Sequence, residues 1–144
     1  MDFSDFVTHH GKRVNKDYFL TLIQVSKTDG EIAPEELSVL YKEGRKFGLT
    51  EPEIEKLIAS EASHMYHAPY SLHEKFEHLY NVAVMILADE EVTDQEKKLL
   101  KRFAIESGFN DNSIEAITVL LLDGIQKNRD EDELFSEFKE VLFK

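Results

Sequence analysis

Cysteine is absent from this chain of 144 residues, so no disulfide framework, thiolate metal site or cysteine nucleophile is available to it. Long apolar runs are missing too. The longest, Ala116 to Leu122, is interrupted by Thr118 and stops at Asp123, far short of the roughly 20 residues a membrane span needs. The opening Met1-Asp2-Phe3-Ser4-Asp5 has neither a basic nor an apolar leader segment, so no signal peptide is expected and the expected setting is cytoplasmic. The six glycines are scattered rather than gathered into a phosphate-cradling loop, and there is no Gly-x-Ser-x-Gly. Sustained alternation of apolar and polar residues is not found, which excludes an extensive sheet. Positive charge is scarce: the formal net charge is −12, with 12 acids against 8 bases up to residue 70 and 17 against 9 beyond it. Such a field repels phosphate backbones, so nucleic acid is not an expected partner. Cations, basic protein surfaces and plain solubility are all compatible with it.

What is present is a repeat. Thr28-Asp29-Gly30-Glu31-Ile32-Ala33-Pro34-Glu35-Glu36 returns sixty residues later as Ala88-Asp89-Glu90-Glu91-Val92-Thr93-Asp94-Gln95-Glu96. In that register Leu40 falls on Leu100, Gly44 on Ala104, Gly48 on Gly108 and Ile54 on Ile114, while Phe19 and Leu22 fall on Leu79 and Val82. So long an ungapped match indicates internal duplication of a unit made of an apolar helix, an acidic turn and a second helix.

Helical periodicity carries the rest. Phe3, Phe6 and Val7 suit a short first helix docked by one edge. Asn15 caps a helix carrying Tyr18, Phe19, Leu22, Ile23 and Val25. After the acidic turn, Pro34 opens a second helix and Gly48 ends it; Thr50-Glu51-Pro52-Glu53 is a capping box for a third. Residues 62–70 connect the repeats, and Ser71-x-x-Glu74 and Thr93-x-x-Glu96 box two further helices. Residues 111–127 are apolar around much of their circumference, which predicts a helix in the middle of the bundle. Asp130 to Phe143 reads as a capped amphipathic helix. The expectation is one all-α domain over 1–144, a bundle of about seven to eight helices: two three-helix repeats (about 15–61 and 72–127) and a C-terminal helix (about 130–143).

Chemistry concentrates in the acidic turns. Asp29, Gly30, Ile32 and Glu36 match the back half of an EF-hand loop, where an aliphatic residue stands eighth and a glutamate closes at the twelfth position, as do Asp89, Val92 and Glu96. The first and third positions, however, hold Val25 and Lys27 in one copy and Met85 and Leu87 in the other, so a working EF-hand is not expected. Two readings stay open. In one, the carboxylates only cap helix N-termini, at about 0.3–1 kcal/mol each. In the other, the turns fold close together and pool Asp29, Glu31, Glu36, Asp89, Glu91 and Glu96 into a site for a divalent cation (Ca²⁺, Mg²⁺, Mn²⁺ or Zn²⁺) or a basic partner. His64 with His67, and His73 and His78 beside Glu77 and Glu74, have spacings found in zinc sites, but without His-Glu-x-x-His they read as solvated or aromatic-packed histidines. The runs Asp130–Glu133 and Lys97-Lys98 with Lys101-Arg102 read as solvated helix faces.

The repeated Asp29-Gly30-Glu31-Ile32…Glu36 and Asp89…Glu96, in an all-helical chain of this size, resemble the TerB-like family, which includes bacterial tellurite-resistance TerB and DjlA-type amino-terminal domains. The resemblance covers about residues 15–125 and departs from the pattern at Glu90, the counterpart of Gly30. It implies a non-enzymatic cytoplasmic module of metal and chemical stress responses, a divalent-metal site on the acids matched by Asp29, Glu36, Asp89 and Glu96, and a membrane-associated partner of the TerC kind without direct membrane insertion. The alternatives are a scaffold or interaction domain whose acids are purely structural and, less favoured, a metal-assisted hydrolase.

Overall fold

The computed structural model describes every residue except 1–2, 9–10, 28–31, 62–63, 90 and 144, together with the side chain of Asp89. The described residues form an all-α bundle of seven α-helices preceded by a two-stranded hairpin. The hairpin replaces the short first helix expected from Phe3, Phe6 and Val7. Strand β1 (Phe6–Val7) pairs antiparallel with β2 (Arg13–Val14), Phe6 opposite Val14. Gly11, at φ +79°, donates its amide to the Thr8 carbonyl and closes the turn, a conformation in which a side chain would be strained. Phe3 and Phe6 then meet Phe47 edge to face, so the apolar spacing serves an aromatic cluster rather than a helix face.

The helices are α1 (Asp17–Ser26), α2 (Pro34–Lys46), α3 (Glu51–Glu61), α4 (Leu72–Ile86), α5 (Asp94–Glu106), α6 (Asp111–Gln126) and α7 (Glu131–Leu142), with a 3₁₀ turn at Leu87–Asp89 after α4. Helices α2 and α5 begin and end sixty residues apart, and α3 and α6 begin sixty apart. Gly48 and Gly108, the two helix stops, both have positive φ (+82° and +93°). The start signals act as their chemistry dictates. Pro34 occupies the first turn of α2. Thr50 and Glu53 exchange hydrogen bonds, and Thr93 and Glu96 form a complete capping box. Ser71 accepts from the Glu74 amide, and Asn15 accepts from the Asp17 amide although Lys16 is the capping position of α1.

The most enclosed helix is α4, not α6. In α4, Phe76, Leu79, Tyr80 and every residue from Val82 to Ile86 are buried. In α6 only Ile114, Ile117, Thr118, Leu121, Gly124 and Ile125 are buried, Leu120 and Leu122 are partly buried, and Val119 is 55% exposed. The 111–127 stretch is rich in apolar residues because α7 needs a seat on it: Leu134 packs so closely on Gly124 that a Cβ there would come within 2.3 Å of it. Among the described residues no helix is long and apolar enough to cross a membrane.

Candidate functional site at the joint between the repeats

Helices α2 and α5 form the joint, and the closing glutamates of the acidic turns lie in it. Glu36, in the first turn of α2, pairs with Arg102 near the end of α5. Glu96, in the first turn of α5, pairs with Lys42 at 2.7 Å. Residue 102 is the counterpart of residue 42, as 96 is of 36, so each repeat sends a cation to the other's glutamate. The helices therefore run antiparallel about a local two-fold relation. Glu96 lies beside Lys42, six residues beyond Glu36, so the two glutamates are about 9 Å apart along the α2 axis, each against its own cation.

The Glu96 end of the joint is the more elaborate. Glu96 is fully buried; its Oε1 accepts from the Thr93 amide at 2.8 Å and from Lys42 Nζ. Lys42 Nζ also donates to the Glu91 carbonyl at 3.1 Å. Beneath it lies a second fully buried acid, Glu43, whose Oε1 accepts from Lys46 Nζ at 2.9 Å. Lys46 Nζ donates in addition to the Met85 and Ile86 carbonyls, both at 2.9 Å, and stands 3.6 Å from Glu96 Oε2. The three hydrogens of an ammonium match these three close acceptors. Lys46 thereby caps the C-terminus of α4, where a cation answers the helix dipole.

Burial, and next its hydrogen bond with Glu96, push the Glu43 carboxyl well above the carboxylate range against the opposing pull of Lys46. Burial works to raise Glu96 as well, but hydrogen bonds from Glu43, Lys42 and the Thr93 amide, with the charge of Lys46, hold it at about 2. Burial thus biases Glu43 toward its neutral form, while the surrounding donors and cations bias Glu96 toward its charged form. The Oε2 atoms of both residues are buried, that of Glu96 3.6 Å from Lys46 Nζ. Sequence reading passed over Glu43 and Lys46. Their one signal is a charged pair three apart on the inward face of α2, where the second copy has Phe103 and Glu106.

Of the six acids singled out from sequence, Glu36 and Glu96 stand in the joint and Glu91 is exposed, contributing its carbonyl. Asp29, Glu31 and the Asp89 side chain lie outside the described residues. Among the described residues no group of three or more histidines or acids is arranged to hold a metal. Three of the histidines have partners: His64 lies 2.7 Å from Glu61, His73 3.0 Å from Glu77, and His78 meets Tyr18 edge to face, while His67 is exposed. A depression of about 240 Å³ lies over the other end of the joint, lined by Glu35, Glu36, Gln95, Lys98, Leu99 and Arg102.

These features define an all-α helical bundle whose helices recur sixty residues apart across a polar joint. No family model matches the chain, and neither a curated protein nor a solved structure matches it.

Proposed function

We propose that the chain is a non-catalytic, TerB-like docking module of the cytoplasm that receives a basic segment of a partner protein on its outward acids. The observation that supports this reading is the division of labour within each acidic turn. Glu36 and Glu96 turn inward and are neutralised by the other repeat, whereas Glu35 and Asp94 are exposed on a chain of net charge −12. Exposed carboxylates beside helix N-termini add little to stability and much to the capture of cationic segments. A membrane-associated partner of the TerC kind fits the same chemistry, because membrane proteins concentrate lysine and arginine in their cytoplasmic loops. A role in metal or chemical stress would follow from that partner.

The test is binding of a Lys/Arg-rich peptide, followed by amide shifts at low and high salt. Saturable shifts confined to the two turns, weakened by salt and lost in Glu35→Lys/Asp94→Lys, support docking. A response spread evenly over the acidic surface leaves the scaffold reading, in which the acids serve the fold alone. Favouring that second reading is the Thr93–Glu96 capping box, which gives one of these acids a complete local role.

A further inference from the structure

A groove of about 390 Å³ runs between α5 and α6, and none of the residues that line it belongs to α7 or to the polar joint. Its apolar floor includes Val92, Val119 and Leu122. Val119 is 55% exposed, and Val92 and Leu122 are half-buried, so the chain itself covers this hydrocarbon only in part. The walls differ in sign. Lys97 and Lys101 stand one turn apart on α5, and Glu115 and Asp123 stand about two turns apart on α6. The first repeat is built differently at the matching positions, where Leu37, Tyr41 and Ile58 replace Lys97, Lys101 and Thr118. Ile32, Tyr41 and Ile58 pack against the core there, so the first repeat places its own hydrocarbon between α2 and α3. The shared helix plan therefore does not require the groove or its charged rims.

We propose that this groove receives one amphipathic helix of a partner protein, with an apolar stripe, acidic side chains along one edge and basic side chains along the other. Two observations carry it. Val119 and Leu122 follow one another on a single face of α6, with Val92 beside them, and such a floor takes helical anchors at i, i+3 or i+4 and i+7. The opposed walls then dictate the partner's edges: acids over Lys97 and Lys101, bases over Glu115 and Asp123. A helix with one sign of charge on both edges meets a wall of its own sign whichever way it lies, whereas the mixed helix is accepted in one direction. The rim charges are available to it. Lys101 meets Glu115 at 2.5 Å across the groove and Asp123 meets Lys127 at 3.2 Å, but both pairs face solvent and contribute little by themselves. A partner's charges replace them at small cost. The inference is independent of the docking reading, which concerns Glu35, Asp94 and a purely cationic segment.

The experiment titrates the chain with three synthetic peptides of about 18 residues, long enough to hold a helix alone. All share one leucine stripe; they carry glutamate on one edge and lysine on the other, lysine on both, or glutamate on both. Amide and methyl shifts locate the contact. The mixed peptide is expected to give saturable shifts at Val119 and Leu122 and to bind at least about tenfold tighter than either of the others. Val119→Glu, at an exposed position, is expected to keep the native melting temperature and lose this binding. Lys97→Glu/Lys101→Glu makes both walls acidic and is expected to transfer the preference to the peptide with lysine on both edges. Equal binding of the three peptides, no saturable shift at Val119 with any of them, or an unchanged preference in Lys97→Glu/Lys101→Glu would overturn the proposal. So would shifts at Val119 that grow with the concentration of the chain alone, which would give the groove to a second copy. Saturable shifts confined to the two acidic turns would support docking there and overturn the groove, so the two readings fail separately.

Discussion

The two repeats share a backbone plan and differ in what they bury. In the joint, Glu43 and Lys46 of α2 stand where α5 has Phe103 and Glu106. Phe103 is fully buried and Glu106 is exposed, so α5 presents an ordinary apolar face with a solvated acid at its end. Helix α2 instead carries a buried glutamate and a lysine into the interior, and the lysine holds the end of α4. The two copies thus share the positions of their helices and differ at the inner face. One copy kept hydrocarbon while the other acquired a hydrogen-bonded polar cluster whose members depend on one another.

The largest expected effect lies at Glu96. Glu96→Ala removes the capping partner of Thr93 and leaves Lys42 and Glu43 without their shared acceptor, and stranding buried charge in this way costs about 3–5 kcal/mol. Glu36→Ala, at the less deeply buried end of the joint, is expected to cost about 1–2 kcal/mol. Denaturant unfolding of the two variants decides the matter; equal losses would erase the asymmetry.

Next comes the small-residue pair. Ala104 is buried in α5, whereas a Cβ at Gly44 would stand 2.7 Å from Ile54 Cδ1 and 3.1 Å from Phe19 Cζ. Gly44→Ala is expected to destabilise by about 1–3 kcal/mol through overpacking, despite its gain in helix propensity. If its melting temperature rises instead, the tighter packing of the first repeat is refuted.

The buried acids separate in pH. Glu43 is raised in the folded state, so its contribution is complete below the ordinary glutamate range and is lost as pH climbs through its raised value. Glu96, held at about 2, contributes above that range and loses its effect as pH falls from the ordinary range toward 2. Stability measured across pH should therefore fall on both sides. Glu43→Gln, which keeps a donor for Glu96, should flatten the alkaline limb alone and change stability near the ordinary glutamate range by about 1 kcal/mol or less. A persistent alkaline limb in that variant would assign the proton elsewhere.

The smallest effect tests what the repeats have in common. Tyr41 donates to Glu55 at 3.0 Å between α2 and α3, and at the matching positions Lys101 pairs with Glu115 at 2.5 Å between α5 and α6. Both braces are solvent-facing, so Glu55→Gln and Glu115→Gln should each shift stability by about 0.5 kcal/mol or less. A marked difference between them would extend the asymmetry to the surface.

Much of this was legible in the residues. Pro34, Thr50, Ser71, Thr93 and Asp130 act within a turn of themselves, so the helix starts they mark follow from local bonding. Gly48 and Gly108 stop helices because the backbone there takes positive φ. The hairpin was not legible, because Phe3 and Phe6 find their partner, Phe47, some forty residues away. The seat of α6 was misjudged for a related reason: apolar content says that a face must be covered, not which helix covers it.

The sequence by itself determined the helices, their sixty-residue repetition and the anionic character of the turns, since periodicity, capping and charge are properties of neighbours along the chain. Only the tertiary structure decided which acids point inward. Whether Glu96 meets solvent, an ion or Lys42 depends on how α2 crosses α5. The energy that sets that crossing comes from apolar side chains far apart in sequence, such as Phe19, Leu40, Leu99 and Phe103, which bury one another and carry the charged residues into place.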